Sequence, residues 1–242
     1  MPQIPKLRVI IETEPNSGRW NMAVDESLLE TAISSETATL RWYTWCEPTV
    51  SLGYFQKSAD LLNDATLSQL PMVRRLSGGG AIVHDNELTY SITLPSSQRL
   101  FGQPQELYDI VHHAVSQGLR EVGFPVICRG QTLKLREEPV LCFQRQDAHD
   151  VVLHGRKILG SAQRRRRGAI LQHGSLIRGV SRCAKNLVGL ADLHEGVLPD
   201  NLAERLAIDI AKGIAESWTI GELTESEIEL AHRLCEQACT NP

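Results

Sequence analysis

Apolar residues recur along this chain with two different periods, and the alternation between them lays out its elements. Leu107, Ile110, Val111, Ala114, Val115, Leu119 and Val122 follow at intervals of three and four, the spacing of an amphipathic helix. Gly123 and Pro125 then end it. Residues 20–33 share the period, with Val24, Leu28 and Ala32 on one stripe and Leu29 and Ile33 beside it. Asp25 and Glu26 near that start complement the helix dipole, and the role assigned to the helix is core packing. A short helix is expected over 59–70. Beyond Pro199, Asn201 caps a helix over 201–218 with Leu202, Leu206, Ile210 and Ile214 on one stripe. Thr224 and Glu227 form a capping box for a last helix reaching about 239.

Elsewhere the period is two, or the residues are β-branched and aromatic. Strands are predicted over 6–12, 39–45, 49–53, 72–75, 81–83 and 87–94, the last with Leu88, Tyr90, Ile92 and Leu94 on one face. Residues 124–129 return to the sheet. Two consecutive hairpins span 150–178, the first turning tightly at His154-Gly155. Arg164, Arg165, Arg166 and Arg167 fall at the end of the second, and the pattern places them in a solvated turn. The fold class is α+β, with a mixed, largely antiparallel sheet, flanking helices and nothing resembling alternating βαβ units.

At 242 residues the chain can bury a core without disulfides or metals. No apolar run approaches the roughly 18 residues of a membrane span, and no secretion signal is present, so a cytoplasmic enzyme without membrane attachment is expected. Six cysteines without a CxxC pair read as free thiols. No cysteines or histidines stand at zinc spacing, and His112 and His113 diverge around their helix, so no metal site is expected. Charge is uneven: residues 191–242 hold 11 acidic and 3 basic residues, the rest 18 acidic and 22 basic. This divides the chain into a mildly basic catalytic domain, 1–190, and an acidic helical extension, 191–242, packed on the same domain. A mildly basic body suits acidic protein partners and does not demand nucleic acid.

The chemistry gathers in four stretches. RRLSGGGAIVHD (74–85) carries three consecutive glycines, a backbone path that side chains would block. It lacks the Lys-Ser/Thr ending of a phosphate-binding P-loop, leaving a tight hairpin turn or a wall giving clearance to a ligand. GRKILGSAQ (155–163) and LQHGSL (171–176) follow, and Cys142-Phe143 precedes Lys157 by fifteen positions.

Together these stretches resemble the lipoate–protein ligase and octanoyltransferase family, which shares the biotin/lipoate ligase catalytic fold. RRLSGGGAIVHD is similar to the family's RRxSGGGxVxHD, and GRKILGSAQ and QHGSL to its GKKIxGSAQ and HHGTLL. NMAVDE (21–26) resembles its NMAxDE helix start, and 48–56 its P…GxxQ strand, so the likeness covers about 10–180. The resemblance implies a slot for a medium-length acyl chain, with Arg75, Ser77, Gly78, Gly79, Gly80, His84, Gly160, Ser161, Ala162, His173 and Gly174 as its binding residues. Lys157 would hold the acyl carbonyl and stabilise the negative charge that develops there. Cys142 would take an octanoyl (or lipoyl) group from octanoyl-acyl carrier protein as a thioester. It would then pass the group to a lysine of a lipoyl domain or glycine-cleavage H protein, with no cofactor. Two alternatives stand beside this: an ATP-dependent ligase using ATP and Mg through an acyl adenylate, and a non-catalytic partner subunit keeping the fold. Against the ligase, residues 1–242 show no arginine-asparagine-aspartate run like the family's, and no separate C-terminal domain of the kind long ligases use is expected. Two positions depart from the family pattern. Residues 144–149 read QRQDAH where related transferases carry a proline-serine and aromatic segment, and Gln172 replaces the first histidine of HHG.

Overall fold

The computed structural model describes residues 4–61, 64–130 and 141–240. Strand β1 (Ile4–Ile11) leads through helix α1 (Gly18–Ser35) to β2 (Thr39–Tyr43), and β3 (Thr49–Leu52), β4 (Met72–Arg74) and β5 (Ile82–His84) follow. Then come β6 (Glu87–Pro95), α2 (Pro104–Glu121), β7 (Ile127–Cys128), β8 (Val151–Leu153), β9 (Arg156–Arg166) and β10 (Ala169–Ile177). The chain closes with α3 (Leu190–Leu193), α4 (Leu202–Ile214), β11 (Ala215–Ile220) and α5 (Glu225–Thr240).

The main sheet runs β11-β1-β2-β6-β10-β9-β8-β7, and a small sheet runs β4-β3-β5. From β2 to β7 every pairing in the main sheet is antiparallel, whereas β1 lies parallel to both β2 and β11. The mixed, largely antiparallel sheet is therefore as expected, with one exception: β1, α1 and β2 form a single βαβ unit. Alternation along the strands sends neighbouring residues to opposite faces. Val9 and Ile170 pack with α2 and α4, while Ile10 packs with α1 and α5 and Leu171 with α1. A separate apolar cluster, including Val50, Ile82, Val83 and Phe143, joins the small sheet to the turn after 141.

Four local expectations are corrected. The helix predicted over 201–218 ends at Ile214, and Ala215–Ile220 is an edge strand parallel to β1. The apolar stripe stops at Ile214, and Ser217-Trp218-Thr219-Ile220 has the β-branched and aromatic character of a strand. Asn201 holds the cap position, but its side chain makes no capping bond. The helix predicted over 59–70 is two 3-10 turns, Ser58–Leu61 and Leu67–Gln69, with residues 62 and 63 outside the described set. The strand over 124–129 contracts to Ile127–Cys128. The capping box of the last helix is present: Thr224 N donates to Glu227 Oε2 (2.8 Å) and Glu227 N to Thr224 Oγ1 (3.3 Å).

The arginine run is also rebuilt. β9 continues through Arg166, so only Arg167, with Gly168, occupies the turn, and both have positive φ as a tight two-residue hairpin requires. Arg164 stacks over Tyr54 (4.4 Å), Arg165 over Phe101 (5.2 Å), and Arg166 pairs with Glu26 (2.5 Å). His154-Gly155 makes the same kind of turn between β8 and β9, as read from the sequence. Cys46, Cys128, Cys142, Cys183 and Cys235 are free thiols.

Candidate active site

The glycine loop is folded around one buried arginine. Arg75 follows β4 and turns inward, where Nη1 donates to Ser51 O (2.8 Å) and Ser51 Oγ (3.2 Å). Its Nη2 donates to the carbonyls of Gly78 and Gly80, both at 2.7 Å. The loop is thereby drawn onto β3 so closely that a Cβ on Gly53 would lie 2.0 Å from Gly79 O. Gly79 itself has φ +92°, which side-chain-bearing residues rarely adopt.

Beyond the loop, β5 delivers His84. Both ring nitrogens are engaged, Nε2 with Ser51 Oγ and Nδ1 with Glu87 Oε1, each at 2.7 Å. The ring is stacked on Trp45 with centroids 3.8 Å apart. His173 on β10 is fixed as firmly, with Nε2 on Ser77 Oγ and Nδ1 3.7 Å from Asp25 Oδ2. Ser77, His173 and Asp25 have the order of a nucleophile, base and orienting acid, but Ser77 is fully buried, so the row braces the loop. Burial pulls the His173 imidazole below its ordinary value against the attraction of Asp25. Burial pushes the Asp25 carboxyl up, yet the His173 ring, the Arg41 guanidinium and the Ser91 hydroxyl together hold it below its usual range.

Asp25 corrects the reading of the first helix. It lies in the interior of α1 rather than its first turn, and it receives Arg41 Nη1 (2.9 Å) and Tyr43 OH (3.0 Å). Asn21 accepts from the same arginine through Oδ1 (2.9 Å). The NMAVDE stretch thus holds a buried charge network beneath the site as well as a packing stripe.

Cys142 opens a 3-10 turn, Cys142–Gln144, and its N–H donates to Ala81 O at 2.8 Å, next to the glycine loop. Lys157, on β9, places Nζ 2.7 Å from Asp150 Oδ1 and 5.4 Å from the Phe143 ring centroid. Its ammonium occupies the space of the side chain that Gly160 lacks; a Cβ there would lie 2.2 Å from Lys157 Cε and 2.6 Å from Nζ. Asp150 is buried, accepts from Asp147 N at 2.8 Å, and is raised by that burial against the pull of Lys157.

A directed chain of hydrogen bonds fixes Ser161. Gln163 Nε2 donates to Gln172 Oε1 (2.6 Å), and Gln172 Nε2 to Tyr90 OH (2.8 Å). The Tyr90 hydroxyl then meets Ser161 Oγ (2.7 Å), which meets His112 Nε2 (2.6 Å). His112 Nδ1 contacts the carbonyl of His149, so it carries the proton and Nε2 accepts from Ser161. Burial pushes His112 down to about 4, so the ring is neutral at neutral pH. Gln172, the departure from the HHG pattern, is a member of this chain.

These elements close on a narrow, mostly apolar slot with a cavity volume of only about 20 Å³. Of the predicted residues, Cys142, Arg75, His84, Gly160, Ser161, Ala162, His173 and Gly174 line it. Ser77, Gly78, Gly79, Gly80 and Lys157 are not among its lining residues. A wider groove along α2 and α4, lined in part by His113, Cys128 and Asp209, contains none of the predicted residues. Sequence reading missed Ser51, Asp150, His112 and Tyr90. No spacing rule links them to the motifs; Asp150, seven residues before Lys157 across a tight hairpin, had the strongest local signal. Among the described residues no group of three or more His, Cys, Asp or Glu could hold a metal ion, and no helix is long and apolar enough to cross a membrane.

Comparison with known proteins agrees with this architecture. The chain is 32% identical over 256 residues to octanoyltransferase LipM of Kyrpidia tusciae, a match covering 93% of each chain. It is 38% identical over 174 residues to octanoyltransferase LipM of Moorella thermoacetica, covering 69% of this chain and 64% of that one. The fold superposes with a TM-score of 0.70 on a bipartite lipoate protein ligase from Thermoplasma acidophilum, at 20% identity and covering 99% of this chain and 95% of that one. With the lipoyl protein ligase A/B catalytic domain matching residues 17–194, this chain belongs to that family.

Proposed function

We propose that this protein transfers an octanoyl group from octanoyl-acyl carrier protein, through a thioester on Cys142, to a lysine of a lipoyl domain or glycine-cleavage H protein. The class is that of its relatives: the protein is an acyltransferase. The observation that carries the rest is Cys142 on the wall of an apolar slot, with the Lys157–Asp150 pair immediately behind Gly160. The apolar lining suits an alkyl chain, with the sulfur on the slot wall and the ammonium packed against Gly160, another wall residue. In this reading residues 1–190 are the catalytic domain and 191–242 an extension packed on it.

The Cys142 thiolate forms a C–S bond to the donor carbonyl as the donor's own C–S bond breaks. The departing sulfur takes a proton from the Lys157 ammonium. The acceptor amine then attacks the Cys142 thioester, the C–N bond forms, Cys142 leaves as a thiolate, and Lys157 regains its proton from the amine. Donor thioester and amine become donor thiol and amide, and the enzyme returns to its starting state. Splitting the transfer in two is nucleophilic catalysis, and a cation beside the carbonyl lowers the barrier to each half.

The test is mass spectrometry after incubation with octanoyl-acyl carrier protein without ATP. An octanoyl increment on the Cys142 peptide, discharged by apo lipoyl domain and absent from Cys142→Ser, is expected. Transfer from free octanoate that requires ATP and survives Cys142→Ser would replace this reading with the ligase.

A further inference from the structure

Among the described residues two arginines, Arg41 and Arg75, are buried, and their surroundings differ. Arg41 is fully buried, and its charge is met by Glu12 (2.8 Å) and Asp25 (2.9 Å). Arg75 is only 1% exposed, and its four hydrogen-bond acceptors are the carbonyl and hydroxyl of Ser51 and the carbonyls of Gly78 and Gly80, all uncharged. Among the described residues its Nε is buried without a hydrogen-bond partner, and no carboxylate pairs with the guanidinium. A buried cation without a counter-ion is costly to a fold, so its place on the slot wall calls for an anion there.

The nearest candidate is sulfur. A methyl group on Gly79 would lie 3.0 Å from Arg75 Nη2 and 3.8 Å from Cys142 Sγ, so both atoms border the space that the glycine leaves open. The other titratable side chains on the slot are committed elsewhere. Tyr43 donates to Asp25, His84 is held by Ser51 and Glu87, and His173 by Ser77. Lys157, the cation the motif points to, already has Asp150 at 2.7 Å.

We propose that Arg75 is the cation that holds Cys142 in its anionic, attacking form, leaving the Lys157–Asp150 pair to serve the carbonyl and the proton transfers. This rests on Cys142 as the nucleophile. Burial draws the Arg75 guanidinium down to about 10, while the Cys142 sulfur opposes that pull and Arg145 adds to it, as this pairing requires. Gly79 then has a second function, leaving open the space beside guanidinium and sulfur that a side chain would fill.

The experiment is the rate at which iodoacetamide alkylates Cys142 in the full chain at pH 7, read on the Cys142 peptide, with exposed Cys46 as internal control. Arg75→Met is expected to slow Cys142 about tenfold and leave Cys46 unchanged, the scale of a lost ion pair. Lys157→Met is expected to slow Cys142 less than twofold, roughly within the noise of such pairings, while abolishing acyl transfer. An unchanged rate in Arg75→Met, or a tenfold loss in Lys157→Met, overturns the assignment. Should Arg75→Met fail to fold by circular dichroism, Lys157→Met decides alone: a retained rate supports Arg75, and a lost one gives the role to the lysine. If no octanoyl increment forms on Cys142 but the alkylation contrast holds, the thioester route fails and the charge assignment stands. If the increment forms and the contrast is absent, the Arg75 assignment fails alone.

Discussion

The Lys157 ammonium sits 2.7 Å from Asp150 Oδ1, in the volume that any side chain at position 160 would fill. The glycine of the GSAQ stretch is therefore a mould for the lysine. Gly160→Ala would place a methyl group 2.2 Å from Lys157 Cε and force the lysine from its site. Displacement of a reacting group by about 1 Å can cost on the order of a hundredfold in rate. A loss of that order in lipoyl-domain acylation is expected, with a small change in Tm because the lysine stem can move. Thermal unfolding beside single-turnover kinetics checks both; wild-type turnover in the variant would show that the lysine position does not matter.

Asp150→Asn removes the counter-charge and keeps the shape. Both partners are buried, with side-chain exposures of 6% for Lys157 and 2% for Asp150. Breaking a buried pair from one side costs about 3–5 kcal/mol, so unfolding in urea should shift by a substantial part of that. Turnover should fall because the ammonium is free to turn toward solvent. The Lys157→Met, Asp150→Asn double variant should lose less stability than the two single changes added together, since the pair acts as a unit.

Where the sequence was legible, one residue's neighbours were enough to decide its state. The 3-4 period of α2 and the two tight turns at His154-Gly155 and Arg167-Gly168 depend on local sterics, although the arginines before the second turn were read as part of it. The glycines of the motifs were legible as places where something approaches. What approaches was not: Gly160 meets Lys157, and Gly174 would put a Cβ 2.2 Å from Ser161 Oγ. Those contacts cross from strand to strand, and His112 joins Ser161 from 49 positions away in sequence. The error at 215–220 has the same source. That segment becomes a strand because β1 offers it an edge more than 200 residues away in sequence, and an amphipathic stripe carries no information about that edge.

Arg41 makes a third prediction. Its guanidinium joins Glu12, Asp25 and Asn21 and lies 3.9 Å from the Tyr43 ring centroid. Arg41→Met leaves the Asp25 carboxylate buried without its cation, and the expected destabilisation is about 3–5 kcal/mol by urea unfolding. Adding Asp25→Asn should recover part of that loss, because the uncompensated charge goes with it. No recovery would mean that the arginine contributes mainly through packing against Tyr43.

The last prediction concerns acid. His112 is buried, donates through Nδ1 to the His149 carbonyl, and accepts from Ser161 at Nε2, an arrangement that only the neutral ring can make. Burial takes it from 6.5 down to about 4. The unfolded chain therefore binds a proton near pH 6.5 that the folded chain refuses until about pH 4. The stability this histidine confers is complete above pH 6.5, falls as pH drops between the two values, and levels off below about 4. A gap of that size corresponds to about 3 kcal/mol across the window. His173, also lowered by burial, acts in the same sense, so the wild-type slope exceeds the share of His112 alone. Urea unfolding at half-unit steps from pH 7.5 to 4.5 should show His112→Gln with a flatter dependence than the wild type, the curves converging toward acid. Parallel curves would mean that His112 binds its proton equally in the folded and unfolded chain, and would remove the permanently neutral ring from the Ser161 chain.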